Sequence, residues 1–120
     1  MASHNELGKK GEQLALEYLQ NKSFRLVEKN WRHHKDEIDL IFTHENTYVF
    51  VEVKTRESTW AGEPEELVTL GQQKRIIRAA DAYMIEKDLD FEVRFDVVGV
   101  IINQHQQKIT HLEEAFSPHW

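Results

Sequence analysis

Apolar positions recur along the chain with two periods. Leu7, Gly11, Leu14, Ala15 and Tyr18 return at three- and four-residue spacing, which predicts a helix over about 5–21, with Glu12 on the flank of its packed stripe in line with Gly8, Ala15 and Leu19. The period then falls to two. Residues 24–31 read as a first strand, and 38–42 and 48–53, rich in β-branched and aromatic residues, as a second and third joined by a tight turn at His44-Glu45-Asn46-Thr47. Residues 57–66, with Gly62 and Pro64, read as a loop. Thr69 can cap a second helix running to about 87, with Leu70, Ile77, Ala80 and Met84 as its inward stripe. The most continuous apolar strand is 93–102, interrupted by Arg94, Asp96 and Gly99; a turn at 103–107 leads to a short final strand at 108–112. This order predicts an α/β fold in which the second helix carries the chain from the third strand to a parallel fourth by a right-handed crossover.

The second and third strands carry acids and a lysine among their apolar residues. With Glu45 and Asn46 at the tip, Asp39 faces Glu52 and Glu37 faces Lys54, all on one face of the sheet. Glu45-Asn46 is not the favoured Asn-Gly tip, so a one-residue slip stays open. Alternation still groups Asp39 with Glu37 and Glu52 with Lys54 in either register. Two carboxylates opposed at ~5 Å between Cβ atoms destabilise a sheet. A bound divalent cation is the simplest offset. The competing reading is a salt-bridged pair of exposed strands in which Lys54 neutralises Glu37 or Glu52.

Composition narrows the class. A chain of 120 residues, 40% of them hydrophobic, suits one domain spanning 1–120. The absence of cysteine excludes disulfides and thiolate metal sites and fits a reducing compartment. Met1-Ala-Ser-His-Asn-Glu has no charged start followed by an apolar run, and no stretch approaches the ~20 apolar residues of a membrane span. A soluble, cytoplasmic protein is expected. The net charge of −6 argues against coating nucleic acid by charge alone, so any polyanion site must be local. Positive residues gather at Lys9-Lys10, Arg32-His33-His34-Lys35, Lys54 with Arg56, and Lys74, Arg75 and Arg78.

Gly8-Lys-Lys-Gly11-Glu12 with Tyr18-Leu19, Asn30-Trp31-Arg32, Glu37-Ile-Asp39-Leu-Ile41, Phe50-Val-Glu52-Val-Lys54-Thr-Arg56 and Arg94-Phe-Asp96-Val-Val98 together resemble the YraN family of small bacterial proteins. That family is similar to minimal PD-(D/E)xK nucleases, near the archaeal Holliday-junction resolvases. The resemblance covers roughly 8–100 and implies a restriction-endonuclease-like fold: an αβββαβ core, its mixed sheet flanked by helices, here with a short extra C-terminal strand. It also implies a metal site of Glu12, Asp39 and Glu52, holding magnesium or manganese, with Lys54 as the fourth catalytic residue. Ile38 stands where the superfamily name has proline.

Phosphodiester cleavage needs a cation that polarises the phosphate and activates a water, and magnesium is held by one or two carboxylates plus waters and phosphate oxygens. Lys54 would orient or help deprotonate the attacking water and stabilise charge developing on the phosphate. Glu37 is read as the cross-strand partner of Lys54 before a further metal or second-layer ligand. Asp96, inside an apolar strand, is read as a hydrogen-bonded structural acid. Lys74, Arg75 and Arg78, turned away from the stripe of the second helix, are candidates with Arg56 for gripping phosphates; a solvated helix face is the alternative. His33 and His34 lack HExxH spacing and read as loop residues or phosphate donors. Trp60 suits either stacking on an unpaired base or packing over the core edge. Gly8-Lys-Lys-Gly11 lacks P-loop spacing, so its glycines are read as letting the first helix approach the sheet.

Three functions follow. The first is a metal-dependent endonuclease on branched or flapped DNA, as a homodimer if the substrate is a two-fold junction. The second is a non-catalytic nucleic-acid-binding module, and the third an acidic protein-interaction domain. The apolar run 97–102 suits either a dimer interface or a central strand.

Overall fold

The structure, a computed structural model, describes residues 4–58 and 68–118. Trp60 and most of the expected loop 57–66 lie outside the described residues. The chain forms α1 (His4–Asn21), β1 (Arg25–His33), β2 (Asp36–His44), β3 (Thr47–Arg56), α2 (Leu70–Glu86), β4 (Glu92–Ile102) and β5 (Gln107–Phe116). The five strands make one sheet in chain order. β3 and β4 are parallel, joined through α2, and every other neighbouring pair is antiparallel. This is a mixed α/β sheet consistent with the restriction-endonuclease-like arrangement. No described helix is long and apolar enough to cross a membrane.

The helices cover opposite faces. α1 lies on β3 and β4 and buries Ala15, Leu16 and Leu19 against Leu40, Phe42, Val49, Val51, Val98 and Val100. α2 lies on β2 and buries Ile76, Ile77, Ala80 and Tyr83 against Ile38, Ile41, Phe50, Phe95 and Val97. Apolar residues on both faces are what a central strand between two helical layers requires. The run 97–102 is therefore a buried strand between β3 and β5.

The hairpin takes the expected register, with Ile41 paired to Phe50 and Thr43 to Tyr48. Glu45 and Asn46 both adopt left-handed backbone, at φ 49° and 63°, the conformation a two-residue type I′ turn demands. A slip by one residue would exchange Phe50 for Val49 and Val51 between the two cores.

α2 departs from its expected stripe at the start. Thr69 caps it, its hydroxyl accepting from the Gln72 N–H while the Gln72 side chain accepts from the Thr69 N–H, a reciprocal capping box. Leu70, expected inward, is 55% exposed. Val68, just before the cap, takes the buried place instead, and the packed face is widened by Ile76, Ala79 and Tyr83.

Candidate metal centre

The β2–β3 ladder ends at Leu40 and Val51. Beyond it β2 stays with β1, pairing Glu37 with Arg32 and Asp36 with His33, while β3 stays with β4, pairing Lys54 with Gly99 and Arg56 with Ile101. The two strands thus part at Asp39 and Glu52. In the opening, Asp39 Oδ2 accepts the Val53 N–H at 2.8 Å. A side-chain carboxylate there replaces the carbonyl that a continued ladder would supply.

The side-chain alternation shifts phase at the same place. Trp31 and Ile38, a cross-strand pair, face α2, whereas Leu40, paired with Lys29, faces α1. Between these pairs stand Asn30 and Asp39. Asn30 adopts left-handed backbone at φ 52°, a conformation asparagine tolerates better than most residues. The Asn30 amide donates to Glu12 Oε1 at 2.9 Å, tying α1 to the point where the strands change face.

Strand parity predicts Glu37 beside Asp39 and opposite Lys54, and this is not found. Glu37 instead pairs with Arg32 Nε at 2.8 Å, because β2 has left β3 by that point. Lys54 Nζ lies 3.4 Å from Glu52 Oε2 and 3.4 Å from Gln72 Oε1. Gln72, at the capping box of α2, escaped the sequence reading. Its signal was there in Thr69-x-x-Gln72, a spacing that places the amide over the helix start.

Burial and the neighbouring Glu52 carboxylate push the Asp39 carboxyl up to about 9, with Glu12 adding a smaller push and the Val53 N–H opposing. These pushes favour a proton shared between Asp39 and Glu52 in the metal-free fold. The repulsion expected between these acids is relieved by that proton, which a divalent cation would have to displace.

Asp39 and Glu52 offer hard oxygen donors in contact, the donor set magnesium or manganese takes. Among the described residues, no three His, Cys, Asp or Glu side chains converge as a ready cage. Glu12 is turned toward Asn30 while remaining close enough to act on Asp39. Two carboxylates plus waters and phosphate oxygens satisfy magnesium, so the pair fits the cation without a third ligand in place.

Gly11 sets the height of Glu12. A Cβ added at Gly11 would meet Thr55 Oγ1 at 1.8 Å, so only glycine lets α1 lie this close to β3. Gly8 has open space around the same point and no such role.

The basic residues divide. Arg78 is not a free cation: its Nε and Nη2 hold Asp36 at 2.8 and 2.9 Å, clamping α2 to β2. Asp36 is only 5% exposed, and the Arg78 bonds hold its carboxyl below the usual carboxylate range. Lys74 and Arg75 are exposed on α2. Arg56 has Nη1 buried with no hydrogen-bond partner among the described residues. His33 stacks on Trp31 and meets His34 edge-on, beside a cavity of about 660 Å³ between this turn and α2. Asp96 is fully buried, and accepts two bonds from Arg94 at 2.9 Å each and one from the Glu114 N–H at 3.1 Å; His111 Nε2 lies 2.7 Å from it. Those bonds hold its carboxyl low despite burial.

A profile of the Uncharacterised protein family UPF0102 matches residues 11–100, a span that includes Glu12, Asp39, Glu52, Lys54 and Gln72. The chain belongs to this family. UPF0102 is the YraN family of the motif resemblance. A UPF0102 protein of Bacteroides thetaiotaomicron is 47% identical over 118 residues, covering 98% of each chain. The UPF0102 proteins of Christiangramia forsetii and Flavobacterium psychrophilum are each 45% identical over 116 residues, covering 97% of this chain and 98% of theirs. UPF0102 members therefore match this chain along nearly its whole length.

Proposed function

We propose that this UPF0102 protein is a metal-dependent endonuclease acting on structured DNA, in the manner of a Holliday-junction resolvase. The observation that carries the reading is the half-buried Asp39–Glu52 pair at the parting of β2 and β3, with Lys54 Nζ 3.4 Å from Glu52. The Val53 N–H needs only one acceptor, and a second acid set against Asp39 adds repulsion that a proton or a cation must offset; as a cation site the pair has a purpose.

Asp39 and Glu52 would hold magnesium or manganese, with Glu12 reaching it directly or through water. When bound, the ion supplies Lewis acidity toward the phosphodiester and its attacking water. Lys54, steadied between Glu52 and Gln72, orients that water and stabilises negative charge growing on the phosphate. The Val53 N–H keeps Asp39 aimed into the opening. On a four-way junction the protein would act as a homodimer, because the substrate presents two equivalent scissile bonds. The lack of cysteine fits work in the reducing cytoplasm.

One observation favours a second reading. Glu12 is engaged by Asn30, so the third acid of the nuclease pattern is diverted; a module that binds nucleic acid without cutting it would show the same. Purified protein is incubated with branched, flapped, single-stranded and duplex DNA, with and without magnesium or manganese. Metal-dependent cleavage of a structured substrate is expected. Lys54→Ala should nearly abolish it while leaving binding and folding intact, since Lys54 acts on the transition state. Tight binding with no cleavage on any substrate would overturn the nuclease reading in favour of the binding module.

A further inference from the structure

Beside the acid pair, on the α1 side, runs a groove of about 290 Å³ between α1 and β1, with Lys9, Glu12, Lys29, Asn30 and Leu40 in its walls. It shares Glu12 with the candidate metal centre, and Leu40 in its floor is the chain neighbour of Asp39. Leu16 and Leu40 give it a buried apolar floor. Lys9 and Lys29 are exposed, on separate elements, and neither makes an ion pair among the described residues. Lys29 is in the groove because of the phase shift at Asn30, which puts Lys29 and Leu40 toward α1 while turning Trp31 and Ile38 toward α2.

Glu12, the acid among the groove's lining residues, accepts from the Asn30 amide, and the two lysines outnumber it. Two ammonium groups thus flank a groove that borders the carboxylate pair through Glu12 and Leu40. In a chain of net charge −6 this placement matters. Phosphates approaching Asp39 and Glu52 meet repulsion, and a local positive site beside them is what would hold a polyanion in place. α2 is less suited than its sequence implies, because Arg78 is committed to Asp36. The volume is at the small end of ligand clefts, ~300–1,000 Å³, which suits a length of strand backbone.

We infer that the α1–β1 groove is a phosphate-backbone subsite, in which Lys9 and Lys29 grip the nucleic-acid strand adjoining the bond at the metal centre. The inference rests on the nucleic-acid reading above and adds where the strand lies.

The test compares wild type, Lys9→Gln/Lys29→Gln and Lys74→Gln/Arg75→Gln for binding to a fluorescent flapped DNA without divalent metal, from 50 to 200 mM salt, with cleavage measured separately in magnesium. Each phosphate contact contributes about 0.7–0.9 to the slope of log affinity against log salt. Loss of both lysines should therefore flatten the slope by roughly 1.4–1.8 and weaken binding at 50 mM salt by about tenfold or more. Lys9→Glu/Lys29→Glu should weaken it further, and an unchanged melting temperature in both pairs would attribute the effect to contact. Unchanged slope and affinity in Lys9→Gln/Lys29→Gln, with wild-type binding and cleavage intact, overturns the groove and leaves the nuclease reading standing. Slope lost only in Lys74→Gln/Arg75→Gln overturns it in favour of α2. Wild-type protein that binds no DNA overturns both readings together.

Discussion

Asp39 Oδ2 accepts the Val53 N–H at 2.8 Å across the gap where β2 and β3 part, so the acid most suited to a cation also closes the backbone bonding of its neighbour strand. Its carboxyl is pushed from 3.8 up to about 9 by burial and then by Glu52. A group of this kind holds a proton in the fold that the unfolded chain gives up, so metal-free protein loses stability as pH rises between about 4 and about 9. Asp39→Asn keeps the acceptor for Val53 and removes the titration. It should melt close to wild type at pH 4.5 and higher at pH 8, by roughly 4 °C for each ~1 kcal/mol in a domain this size. Magnesium should narrow that gap by stabilising wild type alone. An equal difference at both pH values would refute this account of the pair.

Gly11→Ala should destabilise by about 1–3 kcal/mol, the usual cost of forcing extra volume into a packed contact, because the new methyl falls on Thr55 Oγ1. Adding Thr55→Ala should recover part of the loss in urea unfolding. Full independence of the two substitutions would show that α1 and β3 are not in the contact described.

Arg78→Gln leaves the buried Asp36 carboxylate without its two guanidinium bonds. Asp36 is held below its ordinary value, so the stability it contributes is present above about 4 and is lost as pH falls through its folded value. The variant should melt well below wild type at pH 7, and the gap should shrink toward pH 3. A constant gap would mean the ion pair adds nothing.

Asp96→Ala removes the acceptor for Arg94 and for the Glu114 N–H, and the Asp96 partner of the enclosed His111 ring. Breaking a buried pair from one side costs about 3–5 kcal/mol. Chemical denaturation should register a loss of that order, with Asp96→Asn milder because one acceptor remains. A loss under ~1 kcal/mol, the worth of an exposed ion pair, would contradict the burial of this cluster.

Most of the architecture was legible from periodicity alone. The element order, the hairpin register and the crossover between β3 and β4 follow from apolar spacing and turn residues, because each reflects a local conformational preference that one stretch of chain expresses by itself. The same stretches placed Asp39 and Glu52 opposite each other. Alternation could not show that β2 and β3 separate there, since that depends on whether each strand pairs better with its other neighbour. For this reason Glu37 turned to Arg32 and left Lys54 to Glu52 and Gln72. Arg78 illustrates the same boundary: its place on the outer face of α2 was readable, but its commitment to Asp36, 42 positions away, was decided only when the helix crossed the sheet. Asn30 stood in a family motif without a role, and Lys29 carried no signal, until the left-handed residue at Asn30 turned one half of β1 toward α1 and the other toward α2. Sequence determines which groups a segment presents; packing two layers onto one twisted sheet decides which of those groups meet, because long-range contacts depend on the relative placement of whole elements and no local preference encodes it.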